Sequence, residues 1–173
     1  MNLAVVSLPG VDIKNIATAL AANLDYPMLD LDAHLRDTLQ DRDYAEEQFL
    51  LERTENIVTE AARARTNVPH VFALPSILGQ SPQVLAKLKQ EHDLRIIYIR
   101  VGWLASAQLS GMSAPRSHGL GPLRATFRAM AKERDEKLDS CSDVVIDGSG
   151  RTMEQVVNEI CDLIATNFPD PIE

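Results

Sequence analysis

Residues 3–32 constrain this chain more than any other stretch. Leu3, Ala4, Val5 and Val6 form a short apolar run that breaks at Ser7-Leu8-Pro9-Gly10-Val11-Asp12. Beyond the break, Ile13, Ile16, Ala17, Leu20, Ala21 and Leu24 recur at i, i+3, i+4, i+7 and i+8, the spacing of one apolar helix face. Asp25-Tyr26-Pro27 interrupts the helix, and residues 28–32 read as a second strand that delivers Asp30 and Asp32 at its C-terminal end. A βαβ unit with a glycine in its first turn and acids at the tip of the next strand is the layout of a phosphate-binding site in an open parallel sheet.

These residues resemble the opening of the shikimate kinases, a family of P-loop small-molecule kinases. The similarity rests on Ser7-Leu8-Pro9-Gly10, on the alanine-rich helix around Leu20-Ala21-Ala22-Asn23-Leu24, and on Leu29-Asp30-Leu31-Asp32, aligned without a gap. Against the family's G-x-x-x-x-G-K-[ST], the first Gly is Ser7, the last Gly is Asp12, the phosphate-binding Lys is Ile13 and the Mg-binding hydroxyl is Lys14. The Walker A motif is therefore degenerate. Asp12 would stand where the anion binds, and two like charges about 4 Å apart repel by roughly 4 kcal/mol at an effective dielectric near 20. The residues also have a local reading: Asp12 caps the helix with its carboxylate on free N–H groups, and Ile13 begins the apolar stripe. The alternative is that Lys14 replaces the lost Lys by a register shift of one.

Composition narrows the class. The 173 residues are 45% hydrophobic and 24% charged, which suits one globular domain over residues 1–173. A formal net charge of −8 argues against nucleic-acid and anionic-membrane surfaces, while leaving room for a small anionic metabolite in a local basic pocket. Apolar runs are far shorter than a membrane span, and the N-terminus lacks a basic region and long apolar stretch, so the expected location is cytoplasmic. Cys141 and Cys161 lack metal-ligand spacing and read as buried free thiols.

The rest of the chain continues the alternation. Residues 34–40 give one or two helical turns, and residues 44–65 a longer helix with Phe49, Leu50, Thr54, Ile57 and Val58 on its apolar side. By resemblance, residues 33–65 are the substrate-binding insertion. There the family's Phe-Arg-x-x-Glu is Phe49-Leu50-Leu51-Glu52, so Leu50 replaces a carboxylate-gripping Arg. Residues 70–74 form a strand that runs into Leu74-Pro75-Ser76, where the family has a glycine-rich turn; Pro75 has no N–H to offer a substrate. Ser81-Pro82 opens a helix with Val84, Leu85 and Leu88 facing in, and residues 95–101 form a central strand buried on both faces.

Residues 102–122, rich in Ser, Gly and Pro, read as a long lid-like loop; the resemblance puts the ATP-covering lid here, with Arg116 as its arginine. A basic helix over residues 123–139 follows, with Leu123, Phe127, Met130, Ala131 and Leu138 inward. By resemblance its Arg134 is the surviving substrate-contacting arginine. Residues 143–147 form the last strand, and Thr152-Met153-Glu154-Gln155 opens the final helix as a capping box. Arg151 matches a family position lying against adenine.

The expectation is an α/β three-layer fold of P-loop-kinase type, with a five-stranded parallel sheet in the family's order 2-3-1-4-5 and helices on both faces. Functionally it is a shikimate-kinase-like protein with a degraded phosphate loop. It would lack ATP-dependent shikimate phosphorylation, use no cofactor, and act as a binding or regulatory pseudokinase through a protein partner, a second copy of itself or a small anionic metabolite. Its degenerate ATP-site positions are Gly10, Asp12, Ile13, Lys14, Arg116 and Arg151, and its substrate positions Asp32 and Arg134. The alternative is an active ATP- and Mg²⁺-dependent kinase for shikimate or a related hydroxylated metabolite. In it Lys14 would hold phosphate, Asp30 would hold Mg²⁺ and Asp32 would orient the substrate hydroxyl as base.

Overall fold

The computed structural model describes residues 1–38, 52–56, 59–60, 68–111 and 121–168. Five parallel strands form one sheet in the order β2-β3-β1-β4-β5, as expected. They are β1 (Asn2–Ser7), β2 (Met28–Asp30), β3 (Val71–Ala73), β4 (Leu94–Arg100) and β5 (Val144–Asp147). β1 lies at the centre, with Leu3 opposite Val71 on one side and Arg95 on the other.

Each face of the sheet buries its own core. On one face, α1 (Ile13–Leu24) and α6 (Met153–Asn167) pack Ile13, Ile16, Leu20, Val157 and Ile160 onto Leu3, Val5, Ile97 and Ile99. On the other, α3 (Pro82–His92) and α5 (Gly121–Cys141) pack Leu85, Leu88 and Leu138 onto Ala4, Val6, Ile96 and Tyr98. Alternate residues of β1 and β4 therefore point to opposite cores, and both strands must be apolar throughout. The expected capping box of α6 is present in both directions, Thr152 with the Gln155 N–H and the Gln155 side chain with the Thr152 N–H.

Several boundaries depart from the sequence reading. β2 stops at Asp30, and α2 (Leu31–Thr38) begins at once, so Asp32 belongs to a first helical turn and not to a strand tip. The reason is local: Asp30 Oδ1 accepts the Ala33 N–H at 2.9 Å and starts the helix. Residues 52–56 and 59–60 are helical, with Thr54 fully buried and Glu55 paired to Lys87 of α3 at 2.8 Å; the rest of the expected helix over 44–65, Leu50 included, lies outside the described residues. A 3₁₀ turn (Ser76–Gln80) follows β3, with the Leu78 N–H donating to the Pro75 carbonyl at 3.1 Å.

The lid-like interval is not all loop. It opens with the helix α4 (Trp103–Leu109). Ala, Leu and Gln are good helix formers, and the Gly, Ser and Pro residues that suggested a loop crowd into its second half. Ser81 occupies the N-cap of α3 but its side chain makes no capping bond, so Pro82 alone marks that start. Leu123, expected to face inward, is 53% exposed. At about 1.5 Å per residue the 21-residue α5 is longer than the seven-residue β4.

Candidate functional site

The turn between β1 and α1 is held by its own chain. Ser7 Oγ, in a residue 1% exposed, donates to the Ile99 carbonyl at 2.6 Å and ties β1 to β4. Gly10 adopts φ +87°, a conformation that favours glycine. A Cβ there would lie 2.7 Å from Ser110 Oγ and 2.8 Å from the Ser110 nitrogen, so the turn presses against the C-terminal end of α4. Ser106 Oγ on α4 donates to the Pro9 carbonyl at 2.6 Å, and Ser106 is fully buried. Neither serine was singled out from sequence; the available signal was two serines one turn apart in an otherwise helix-forming run.

The donors of the turn are engaged as well. The Ile13 N–H donates to the Val11 carbonyl at 2.9 Å, and Asp12 has φ −79° and ψ 69° between them, an inverse γ-turn. The Asp12 carboxylate accepts the Asn15 N–H at 3.2 Å and the Asn15 side-chain amide at 2.5 Å. In a phosphate loop such N–H groups converge on the anion. Here two of them are turned to a carbonyl and a carboxylate of the same turn.

Ile13 is 9% exposed within the α1 core and has no part in a polar site. Lys14 does reach toward the acids, its Nζ 3.7 Å from Asp30 Oδ2. Asp30 Oδ2 is buried and accepts no hydrogen bond, while Oδ1 caps α2. Lys14 and Asp30 thus form a loose ion pair at the mouth of the βαβ unit, with Asp32 half-buried two residues further on.

Arg134, on α5, is 9% exposed and packs against the 3₁₀ turn, its Cβ 3.5 Å from where a Cβ on Gly79 would stand. Arg151 lines a cavity of about 240 Å³ together with Asp12, Leu109 and Met153. Its guanidinium donates to the carbonyls of Asp147 and Gln155, each at 3.1 Å, and is paired with Glu159. Leu109 and Met153, 59% and 47% exposed, form an apolar rim to this cavity. Met153 therefore stands outside the inward stripe of α6, which is formed by Val156, Val157, Ile160 and Ile164. Arg116 lies outside the described residues.

No helix among the described residues is long and apolar enough to cross a membrane. No protein-family model and no curated protein match the sequence. Solved structures do match. A shikimate kinase from Acinetobacter baumannii, determined in complex with shikimate, superposes with a TM-score of 0.77 at 17% identity, over 98% of this chain and 95% of that one. The shikimate kinase of Aquifex aeolicus gives 0.75 at 13% identity, over 99% and 100%. A gluconokinase from Sinorhizobium meliloti gives 0.62 at 13% identity, over 96% and 92%. Over nearly its whole length, the chain has the fold of the shikimate kinases and related P-loop kinases.

Proposed function

We propose that this chain is a kinase-fold protein that does not transfer phosphoryl groups from ATP and serves as a binding or regulatory protein. The observation that carries the reading is the closure of the phosphate loop on itself. The Ile13 N–H is given to Val11, the Asn15 N–H to the Asp12 carboxylate, and the Pro9-Gly10 turn is bonded by Ser106 of α4 and packed against Ser110 at the helix's C-cap. Phosphoryl transfer depends on stabilising charge at the transferring group, and this loop adds a carboxylate where the reaction needs donors and a cation. Under this reading the cognate is a protein, a second copy of the chain or a small anionic metabolite.

A second reading is an ATP-dependent kinase acting on shikimate or a related hydroxylated metabolite. Its support is Asp30 Oδ2, buried without a hydrogen bond 3.7 Å from Lys14. The residues fit Mg²⁺ poorly: the other Asp30 oxygen is committed to capping α2, and Lys14, a cation, stands where the loop motif supplies a hydroxyl ligand. Calorimetric titration with ATP and ADP, with and without Mg²⁺, decides between the two. The proposal expects no micromolar binding in any of the four titrations. A micromolar dissociation constant that tightens with Mg²⁺ overturns it in favour of the kinase.

A further inference from the structure

A second and larger cavity, of about 750 Å³, lies on the α5 side of the sheet beyond the ends of β4 and β5. It shares none of the candidate site positions. Its floor is apolar, formed by the buried Leu8, Val101 and Ala131 with Val145 beside them. Trp103 forms part of the wall, and the Arg128 guanidinium lies 5.2 Å from the centre of its ring, close enough for a cation–π contact. Lys132 follows Arg128 by four residues on α5, so both cations project from the same face of the helix into the same space.

The remaining charges lining the cavity are largely satisfied within the fold. Arg100 Nε donates to Asp135 Oδ1 at 2.9 Å, and the same oxygen accepts the Tyr98 hydroxyl at 2.8 Å. Asp147 accepts the Ser149 N–H at 2.9 Å, which holds its carboxyl below the usual range. Arg128 and Lys132 are the pair with least engagement: the former sits on an uncharged ring, and the latter faces Glu136 at 4.0 Å across solvent. Arg100 is also paired with Asp139, so among the described residues that line the cavity Arg128 and Lys132 are the cations that face a ligand. An apolar, partly aromatic pocket of this size with a few convergent polar groups is the form of a small-molecule site.

We infer that this cavity binds an aromatic monocarboxylate, its ring on the Leu8, Val101 and Trp103 surface and its carboxylate between Arg128 and Lys132. One carboxylate spans the two cations, whereas Asp135 and Asp147 in the lining and Glu136 beside Lys132 oppose a second negative charge, which favours a monoanion over a phosphate dianion. The site shares Leu8 with the phosphate loop but none of the positions Asp12, Ile13 and Lys14, so it does not require the loop to bind an anion.

Trp103 is the chain's only tryptophan, so its indole N–H gives one resolved resonance that reports on the pocket. Naphthoate titrated into the isotope-labelled full chain is expected to shift that resonance saturably. Naphthamide, of the same shape without charge, and naphthyl phosphate are each expected to bind roughly tenfold more weakly. Arg128→Gln with Lys132→Gln should weaken naphthoate by about tenfold or more while leaving the melting temperature in place. Asp12→Gly, at the phosphate loop, should leave it unchanged. Should the double variant not fold, Lys132→Gln alone, at a side chain 76% exposed, carries the same comparison. No saturable shift, equal affinity for the amide, or wild-type affinity in the folded variant overturns the inference.

Discussion

If Asp12 closes the anion site by capping α1, removing its carboxylate should open that site at little cost in stability. Asp12 is exposed, and its two hydrogen bonds go to one residue, Asn15. Gly is a tolerable N-cap, so Asp12→Gly should cost only about 0.3 kcal/mol, or roughly 1 °C in a chain of this size. The freed N–H groups and the positive end of α1 would then attract an anion, provided the Ile13 N–H gives up Val11. Sulfate present at about ten times its dissociation constant would stabilise the variant by about 1.4 kcal/mol, or roughly 3–6 °C. In the wild type the Asp12 charge opposes the same ion by about 1 kcal/mol at an exposed position, enough to remove most of the gain. The assay is the melting temperature of both proteins in sodium sulfate and in sodium chloride of matched ionic strength. Sulfate strengthens burial generally, so the quantity that counts is the increment of variant over wild type. Adding Ile13→Lys should enlarge that increment, though from a lower baseline, because burial of Ile13 is worth about 1.5–3 kcal/mol. Parallel shifts in all three proteins would refute the reasoning and leave the loop's likeness to a phosphate cradle a matter of fold alone.

On the proposed reading shikimate is expected to show no saturable binding by NMR, since Pro75 has no N–H to offer a ligand at the end of β3; stereospecific saturation would overturn that. Gly10→Ala places a Cβ within 2.9 Å of the Ser110 nitrogen and the Leu109 carbonyl carbon at φ +87°, and should lose about 2–5 kcal/mol by chemical denaturation. A loss below about 1 kcal/mol would mean that α4 does not pin the turn. Ser106→Ala leaves the Pro9 carbonyl without its donor and should cost about 1–2 kcal/mol. Burial, aided by Asp135, raises the Tyr98 hydroxyl well above its ordinary 10.0. Its contribution is therefore intact below pH 10 and is lost as the pH climbs beyond that, at up to about 1.4 kcal/mol per unit. Tyr98→Phe should flatten the alkaline fall in melting temperature, and an identical slope in both proteins would contradict the assignment.

The strands and helices were legible because their signals were local and periodic, whereas the order of the strands came from the resemblance to the shikimate kinases. The stripe from Ile13 to Leu24, the unbroken apolar run of β4 and the capping box at Thr152 each specify an element without reference to anything distant. Asp12 as a helix cap was legible for the same reason, since cap and donor are three residues apart. The helix α4 was hidden by averaging composition over an interval whose Gly, Ser and Pro lie mostly beyond Leu109. Two facts about the site were outside the reach of local reading altogether. Ser106 meets Pro9 across ninety-seven positions of sequence, and Arg128 meets Trp103 only because α5 crosses back over the end of β4. Local chemistry in the sequence determined which elements form and that the loop carries Asp12 in place of a glycine and Ile13 in place of the lysine. Only the tertiary structure decided that the loop is tied to a distant helix through Ser106 and that a tryptophan-walled cavity carrying Arg128 and Lys132 opens beside it, because packing between elements sets both contacts.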